Sequence, residues 1–166
     1  MKLLCVVDTS VWINLHKGSI LPKALLQTNE GWEFYLTDSI ARELKEPSCD
    51  ILEQLGVKRY SLSEREVAEI QALRKQKRAL SVADASSVVA ARALGALILT
   101  GERSLREKAQ ELQIEVHGTL WLLDQLVAAQ LINDETVCDA VARMIAANAW
   151  FPKQEVNRLK TRYNCP

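Results

Sequence analysis

The stretch Leu3-Leu4-Cys5-Val6-Val7-Asp8-Thr9-Ser10-Val11 decides the fold. Residues 2–7 are few, partly β-branched and apolar on both faces, the pattern of a strand buried inside a parallel sheet. An acid follows at once, and Thr9 or Ser10 can cap a helix through Val11, Trp12, Ile13, Asn14 and Leu15 that Gly18 stops. A carboxylate at the mouth of such a strand stands where open α/β sheets collect ligands.

Working outward, Ser81–Leu94 reads as a small-residue, Ala-rich helix that Gly95 ends as a C′ glycine. Ala96–Leu99 is a fully apolar strand, and Thr100-Gly101-Glu102 is its exit loop. Between these halves lie a strand at Glu33–Leu36, a helix capped by Thr37 or Asp38 that carries Glu43 and ends near Pro47, and a strand at Val57–Tyr60. Ser63 with Glu66 marks a capping box at the head of a helix through Val67, Ile70 and Leu73, whose far end is the basic run Arg74-Lys75-Gln76-Lys77-Arg78. Ser104–Leu112 is the next helix, Ile114–Val116 a short edge strand and Gly118–Ala129 another helix. Strands alternating with helices predict an α/β fold: a parallel-sheet, Rossmann-like αβα sandwich, since parallel strands need crossovers. Its expected extent is residues 1–130. Residues 131–166 are expected as a helical C-terminal extension packed on the same domain, with helices at Asp134–Asn148 and Pro152–Tyr163 and no strand.

Composition narrows the function classes. With 166 residues and 48% apolar content, the chain builds one well-buried domain. Lys+Arg and Asp+Glu both number 21, so no global positive field attracts nucleic acid, and a polyanion must be held by a local patch or through metal. Cysteines 5, 49, 138 and 165 form no C-x-x-C pair, which argues against structural zinc and a secreted disulfide framework; reduced thiols in a cytoplasm are expected. No apolar run approaches the ~20 residues of a membrane span, and none has a signal-peptide layout.

The acids carry the chemistry. Asp8 and Glu102 both follow strands and should face one crevice at the sheet's carboxyl edge, with Asp84 reaching it from a helix start and Glu43 from the helix after the second strand. Four carboxylates in one pocket repel one another unless a hard cation such as Mg²⁺ or Mn²⁺ takes their oxygens. Each also has a structural use. Asp8 can cap its helix, Asp84 completes the capping-box pattern Ser81-x-x-Asp84, Glu43 suits a solvated helix face, and Glu102 suits a loop or a first helical turn.

These residues resemble the PIN-domain nucleases, in the VapC-like toxin ribonuclease branch. The matching stretches are Val7-Asp8-Thr9-Ser10-Val11, Ile40-Ala41-Arg42-Glu43-Leu44, Ala83-Asp84-Ala85 followed by Ala90-Ala91, and Leu97 through Leu105 with Thr100-Gly101-Glu102 at its centre. The resemblance spans roughly residues 2–127 and implies that Asp8, Glu43, Asp84 and Glu102 are both the metal ligands and the catalytic acids of an RNA-cutting site. The family's fourth acid is commonly Asp; Glu102 is one methylene longer. The resemblance further implies an RNA substrate, a homodimer, an antitoxin that inserts a basic side chain into the acidic pocket, and a cytoplasmic location.

Other polar and aromatic residues leave two uses open. The run Arg74–Arg78, Arg103 with Arg106 and Lys108, and Lys153 with Arg158, Lys160 and Arg162 suit RNA phosphates or a solvated surface. Trp12, Trp32, Trp121 and Trp150 suit base stacking or core packing. His16 and His117 stand outside the four-acid set, and His117 suits the loop before a helix. Two rival functions follow: a catalytically weak module of the same fold that binds RNA or protein, and a metal-dependent phosphohydrolase acting on small phosphate esters. The second is disfavoured by the lack of an Asp-x-Asp strand ending and of a Walker-type glycine loop.

Overall fold

The computed structural model describes residues 1–166. The chain runs β1 (Leu3–Val7), α1 (Thr9–Lys17), α2 (Leu21–Leu25), a 3-10 segment (Leu26–Glu30), β2 (Trp32–Thr37), α3 (Asp38–Glu43), α4 (Cys49–Gln54) and β3 (Lys58–Tyr60). It continues through α5 (Glu64–Gln76), α6 (Val82–Leu94), β4 (Leu97–Leu99), α7 (Arg103–Glu111), β5 (Val116–His117), α8 (Thr119–Ala128), α9 (Asp134–Ala146) and α10 (Lys153–Arg162). The five strands form one sheet in the order β3-β2-β1-β4-β5, and every pairing is parallel. The alternation of strand and helix along the sequence is thus realised as an α/β fold.

Strand order sets the position of the site. From β1 the chain builds outward through β2 and β3, then returns to add β4 and β5 on the other side of β1. The switch point of this winding therefore lies between β1 and β4, where crevices open beyond the strand ends. Val7 is in register with Leu99, and the Asp8 amide donates to the Leu99 carbonyl at 2.9 Å. Asp8 and Thr100, the first residues past the two strands, are thereby set side by side.

Both sheet faces are covered, as the apolar strands require. Alternation along β1 and β4 sends Cys5, Val7, Leu97 and Leu99 into a core cluster of 31 buried residues, and Val6 and Ile98 into another of 13. The smaller cluster packs α5, α6 and α7; its Ala85, Ala90 and Ala91 are small enough to seat α6 closely against the sheet. Residues Ala83 through Ala91 of α6 are all buried, and Gly95, at φ +64°, ends the helix in the left-handed conformation expected of a C′ glycine. The C-terminal helices join the larger cluster: Val137, Ala140, Val141 and Met144 of α9, with Leu159 of α10 and Tyr163, are part of it.

Three features depart from the sequence expectations. The short helices α2 and α4 were not anticipated; Pro22 stands in the first turn of α2, and Ser48 caps α4 by accepting the Ile51 amide at 3.3 Å. The last strand is shifted towards the C-terminus, so His117 lies in β5 instead of a loop. The thiols are the main correction. Cys138 and Cys165 form a disulfide across 27 residues, while Cys5 and Cys49 are free, so the expectation of four reduced cysteines holds for only two. Packing of α9 against the end of the chain brings the pair together, a juxtaposition that no local spacing encodes. No helix is long and apolar enough to cross a membrane.

Candidate metal-binding active site

Asp8 is the N-cap residue of α1, but its side chain makes no capping hydrogen bond. It turns inward and is only 2% exposed. Its Oδ2 accepts the Thr100 hydroxyl at 2.9 Å and the Ser10 hydroxyl at 3.0 Å. Those hydroxyls accept in turn: the Glu102 amide donates to Thr100 Oγ1 at 2.9 Å, and the Gly101 amide donates to Ser10 Oγ at 3.0 Å. The loop after β4 is thus laced to the carboxylate that ends β1.

Asp84 stands at the third position of α6. Its Oδ2 accepts the Ser81 amide at 3.0 Å while Ser81 Oγ accepts the Asp84 amide at 3.0 Å, so the capping box read in the sequence is formed. This structural role does not remove the acid from the crevice. Burial pushes the Asp8 carboxyl up to about 6, hydroxyl donation from Thr100 opposes that rise, and the negative charge of Asp84 adds to it. Neither aspartate belongs to an ion pair with Lys, Arg or His. Two nearby acids, both buried and both without a cationic partner, are an arrangement that proteins ordinarily stabilise with a bound cation.

The two glutamates are placed differently. Glu43, exposed at the end of α3, accepts a hydrogen bond from the Thr9 hydroxyl, which ties it to the residue beside Asp8. Glu102 is the exposed N-cap residue of α7, and its carboxylate makes no hydrogen bond or ion pair. Thr9 ties Glu43 to the residue beside Asp8, and Thr100 ties the Glu102 amide to Asp8, but no three His, Cys, Asp or Glu side chains gather at metal-cluster spacing. The structure therefore couples Asp8 with Asp84, attaches Glu43 through Thr9, and leaves Glu102 at the rim.

A buried hydroxyl pair escaped the sequence reading. Thr37 caps α3 by accepting the Ile40 amide at 3.2 Å, and its Oγ1 lies 2.6 Å from Ser86 Oγ of α6. Both residues are fully buried, so the helix carrying Glu43 is pinned to the helix carrying Asp84. A Ser-Ser pair in an Ala-rich helix was the available signal.

The remaining candidates divide. Trp12 and Trp32 are core residues, Trp121 is half-buried, and Trp150 is 79% exposed. His16 pairs with Glu46, and His117 pairs with Glu115 while stacking on Trp121 at 3.8 Å between ring centroids. Lys108 is buried against Gln76 and Glu111 and is closed to a ligand.

The comparisons with known proteins bear on the fold and the family. A family model described as a PIN domain matches residues 4–164. Among solved structures, a PilT N-terminus domain protein, SSO1118 from the archaeon Sulfolobus solfataricus P2, superposes with a TM-score of 0.55 at 19% identity, covering 75% of this chain and 93% of that one. PAE2754 from Pyrobaculum aerophilum has the same TM-score and identity, with coverage of 77% and 99%. These two likenesses are of fold. No curated protein matches in sequence. Because the family match takes in nearly the whole length, from the second residue of β1 past the end of α10, this chain belongs to the PIN-domain family.

Proposed function

We propose that the protein is a metal-dependent ribonuclease that hydrolyses RNA phosphodiester bonds at the Asp8–Asp84 crevice. The observation that carries this reading is the buried pair of acids, contributed by the end of β1 and the start of α6, without a counter-cation at the switch point of a parallel sheet. Oxygen-only donors of this charge fit Mg²⁺ or Mn²⁺ and not a soft metal. Asp8 and Asp84 would hold the ion, with Glu43 and Glu102 reaching it from the rim. When bound, such an ion supplies neutralisation of the phosphodiester charge and activation of a water nucleophile.

The chain's own residues do the positioning. Thr100 and Ser10 fix Asp8 Oδ2 by donation, leaving Oδ1 without a side-chain donor. The Ser81 capping box fixes the rotamer of Asp84, and Thr9 steadies Glu43. Neither histidine hydrogen-bonds to these acids: His16 is engaged by Glu46 and His117 by Glu115.

The exposed, uncommitted Glu102 favours one second reading, a module of the same fold with weak turnover that still binds RNA. A cytoplasmic location, a toxin role, an antitoxin partner and a homodimer extend the proposal on the family resemblance alone.

The test is cleavage of single-stranded RNA with Mn²⁺ or with EDTA, by wild type, Asp8→Asn and Asp84→Asn. Cutting that needs Mn²⁺ and is lost in both variants supports the nuclease. Retained RNA binding without cutting by wild type selects the weak-turnover module, and hydrolysis of a chromogenic phosphate ester with RNA left intact selects a phosphohydrolase.

A further inference from the structure

Beside the acidic crevice lies a second cavity of about 580 Å³, in the size range of small-ligand sites. Thr100 and Gly101 form its near wall, so the residue that holds Asp8 on one side borders this cavity on the other. Its lining, unlike that of the crevice, combines arginines with acids and aromatic rings. Arg103, Arg106 and Arg158 line it, with the His117–Trp121 stack and Trp150.

Arg106 is the distinctive group. Arg158 is engaged by Asp124 at 3.2 Å and Arg103 by Glu107 at 2.9 Å, whereas Arg106 meets no carboxylate. Its Nη2 donates to the Thr100 carbonyl at 3.1 Å, and a Cβ on Gly118 would lie 3.2 Å from the same atom. The half-buried guanidinium is thus laid along backbone that leaves it room, with donors to spare for an oxyanion. Asp124 and Glu155 also line the cavity, but Asp124 is already committed to Arg158 and to the Tyr163 hydroxyl at 2.6 Å. Trp150 lies in the α9–α10 connection, where a large ring exposed to water has no packing role and offers a face to a base.

The geometry points to this cavity as a nucleotide subsite for single-stranded RNA, in which Arg106 holds a backbone phosphate and Trp150 stacks on a base next to the bond presented to Asp8 and Asp84. The inference deepens the nuclease reading and rests on it for the identity of the ligand. It assigns the C-terminal helices a part in substrate binding: their connection supplies one wall and the stacking ring, and α10 contributes Arg158.

The test is binding of a fluorescently labelled octaribonucleotide by fluorescence anisotropy in EDTA, which separates binding from metal-dependent cutting. Trp150→Ala, at a site too exposed to perturb folding, is expected to weaken binding roughly 5- to 150-fold, the range for replaced base-stacking aromatics. The same substitution should leave binding of an abasic octamer unchanged. Arg106→Gln should weaken both probes and reduce the slope of log affinity against log salt by about 0.7. Mn²⁺-dependent cleavage by wild type, with octamer binding unaltered in both variants, overturns the subsite and leaves the nuclease standing. Variant-sensitive binding without cleavage overturns the nuclease and supports the subsite. Failure of wild type to bind the octamer overturns the subsite outright.

Discussion

Thr100 donates its hydroxyl hydrogen to Asp8 Oδ2 at 2.9 Å and accepts the Glu102 amide at the same distance, so one buried hydroxyl joins the acid that follows β1 to the start of α7. The acid is deep and close to a second negative charge, and this donation is the largest of those, with Ser10 and the Thr9 backbone, that oppose the upward push on its pKa. Thr100→Val keeps the shape and removes the hydroxyl. The Asp8 carboxyl should then titrate above its present value of about 6, as followed by carbon NMR of the side chain, and stability should fall by about 1–3 kcal/mol because the acid and an amide lose their partner. Thr100→Ser, which retains the hydroxyl, should change both far less.

Stability should rise on acidification in one window because of Asp8. A folded-state value near 6 against an unbound reference of 3.8 means that the folded protein holds a proton that the unfolded chain releases as pH rises between these values. The contribution favouring the fold is therefore present below pH ~4 and lost by pH ~6, a difference of about 3 kcal/mol as an upper estimate. Asp8→Asn can still accept from Thr100 and Ser10 and carries no charge. Urea unfolding should show it more stable than wild type at pH 7 by about 1–3 kcal/mol, with the gap closing near pH 4. An Asn variant less stable at both pH values would contradict the buried, unpaired charge.

Ser81 tests whether local capping and site geometry are one device. Ser81→Ala removes the hydroxyl that accepts the Asp84 amide and should cost about 0.5–2 kcal/mol in thermal or chemical unfolding. The Asp84 carboxylate keeps the residue-81 amide as its donor, but the first turn of α6 that positions it loses its reciprocal bond and loosens. Mn²⁺ affinity, measured by calorimetry, should fall in this variant although no proposed ligand is altered, and Ser81→Thr should restore it.

How much of this was legible in the sequence depends on the range of the interaction. Lys2–Val7, Ser81–Leu94 and Ala96–Leu99 were readable because a buried parallel strand and a small-residue helix with its glycine stop are written locally. The Ser81–Asp84 and Ser63–Glu66 boxes span three residues and were readable for the same reason. Placement of Asp8 beside Thr100 followed from topology, given the strand order. The rest depends on tertiary packing. Thr37 meets Ser86 across 49 residues, and Cys138 meets Cys165 across 27, with nothing in either spacing to announce it. The sequence reading brings Glu43 and Glu102 to the same pocket as the aspartates; in the structure both side chains are exposed and only Glu43 is tied inward. Helix ends tolerate a solvated acid, so sequence position alone does not fix how far each side chain turns inward.

The central claim is that Asp8 and Asp84 jointly hold a divalent cation, and it is tested most directly by titrating Mn²⁺ into RNA-free protein by calorimetry at pH 7, with wild type, Asp8→Asn and Asp84→Asn compared. Wild type should bind with release of less than one proton, since Asp8 is mostly ionised there, and each variant should lose the binding heat. Equal Mn²⁺ binding by wild type and both variants, or none by wild type, would contradict the account.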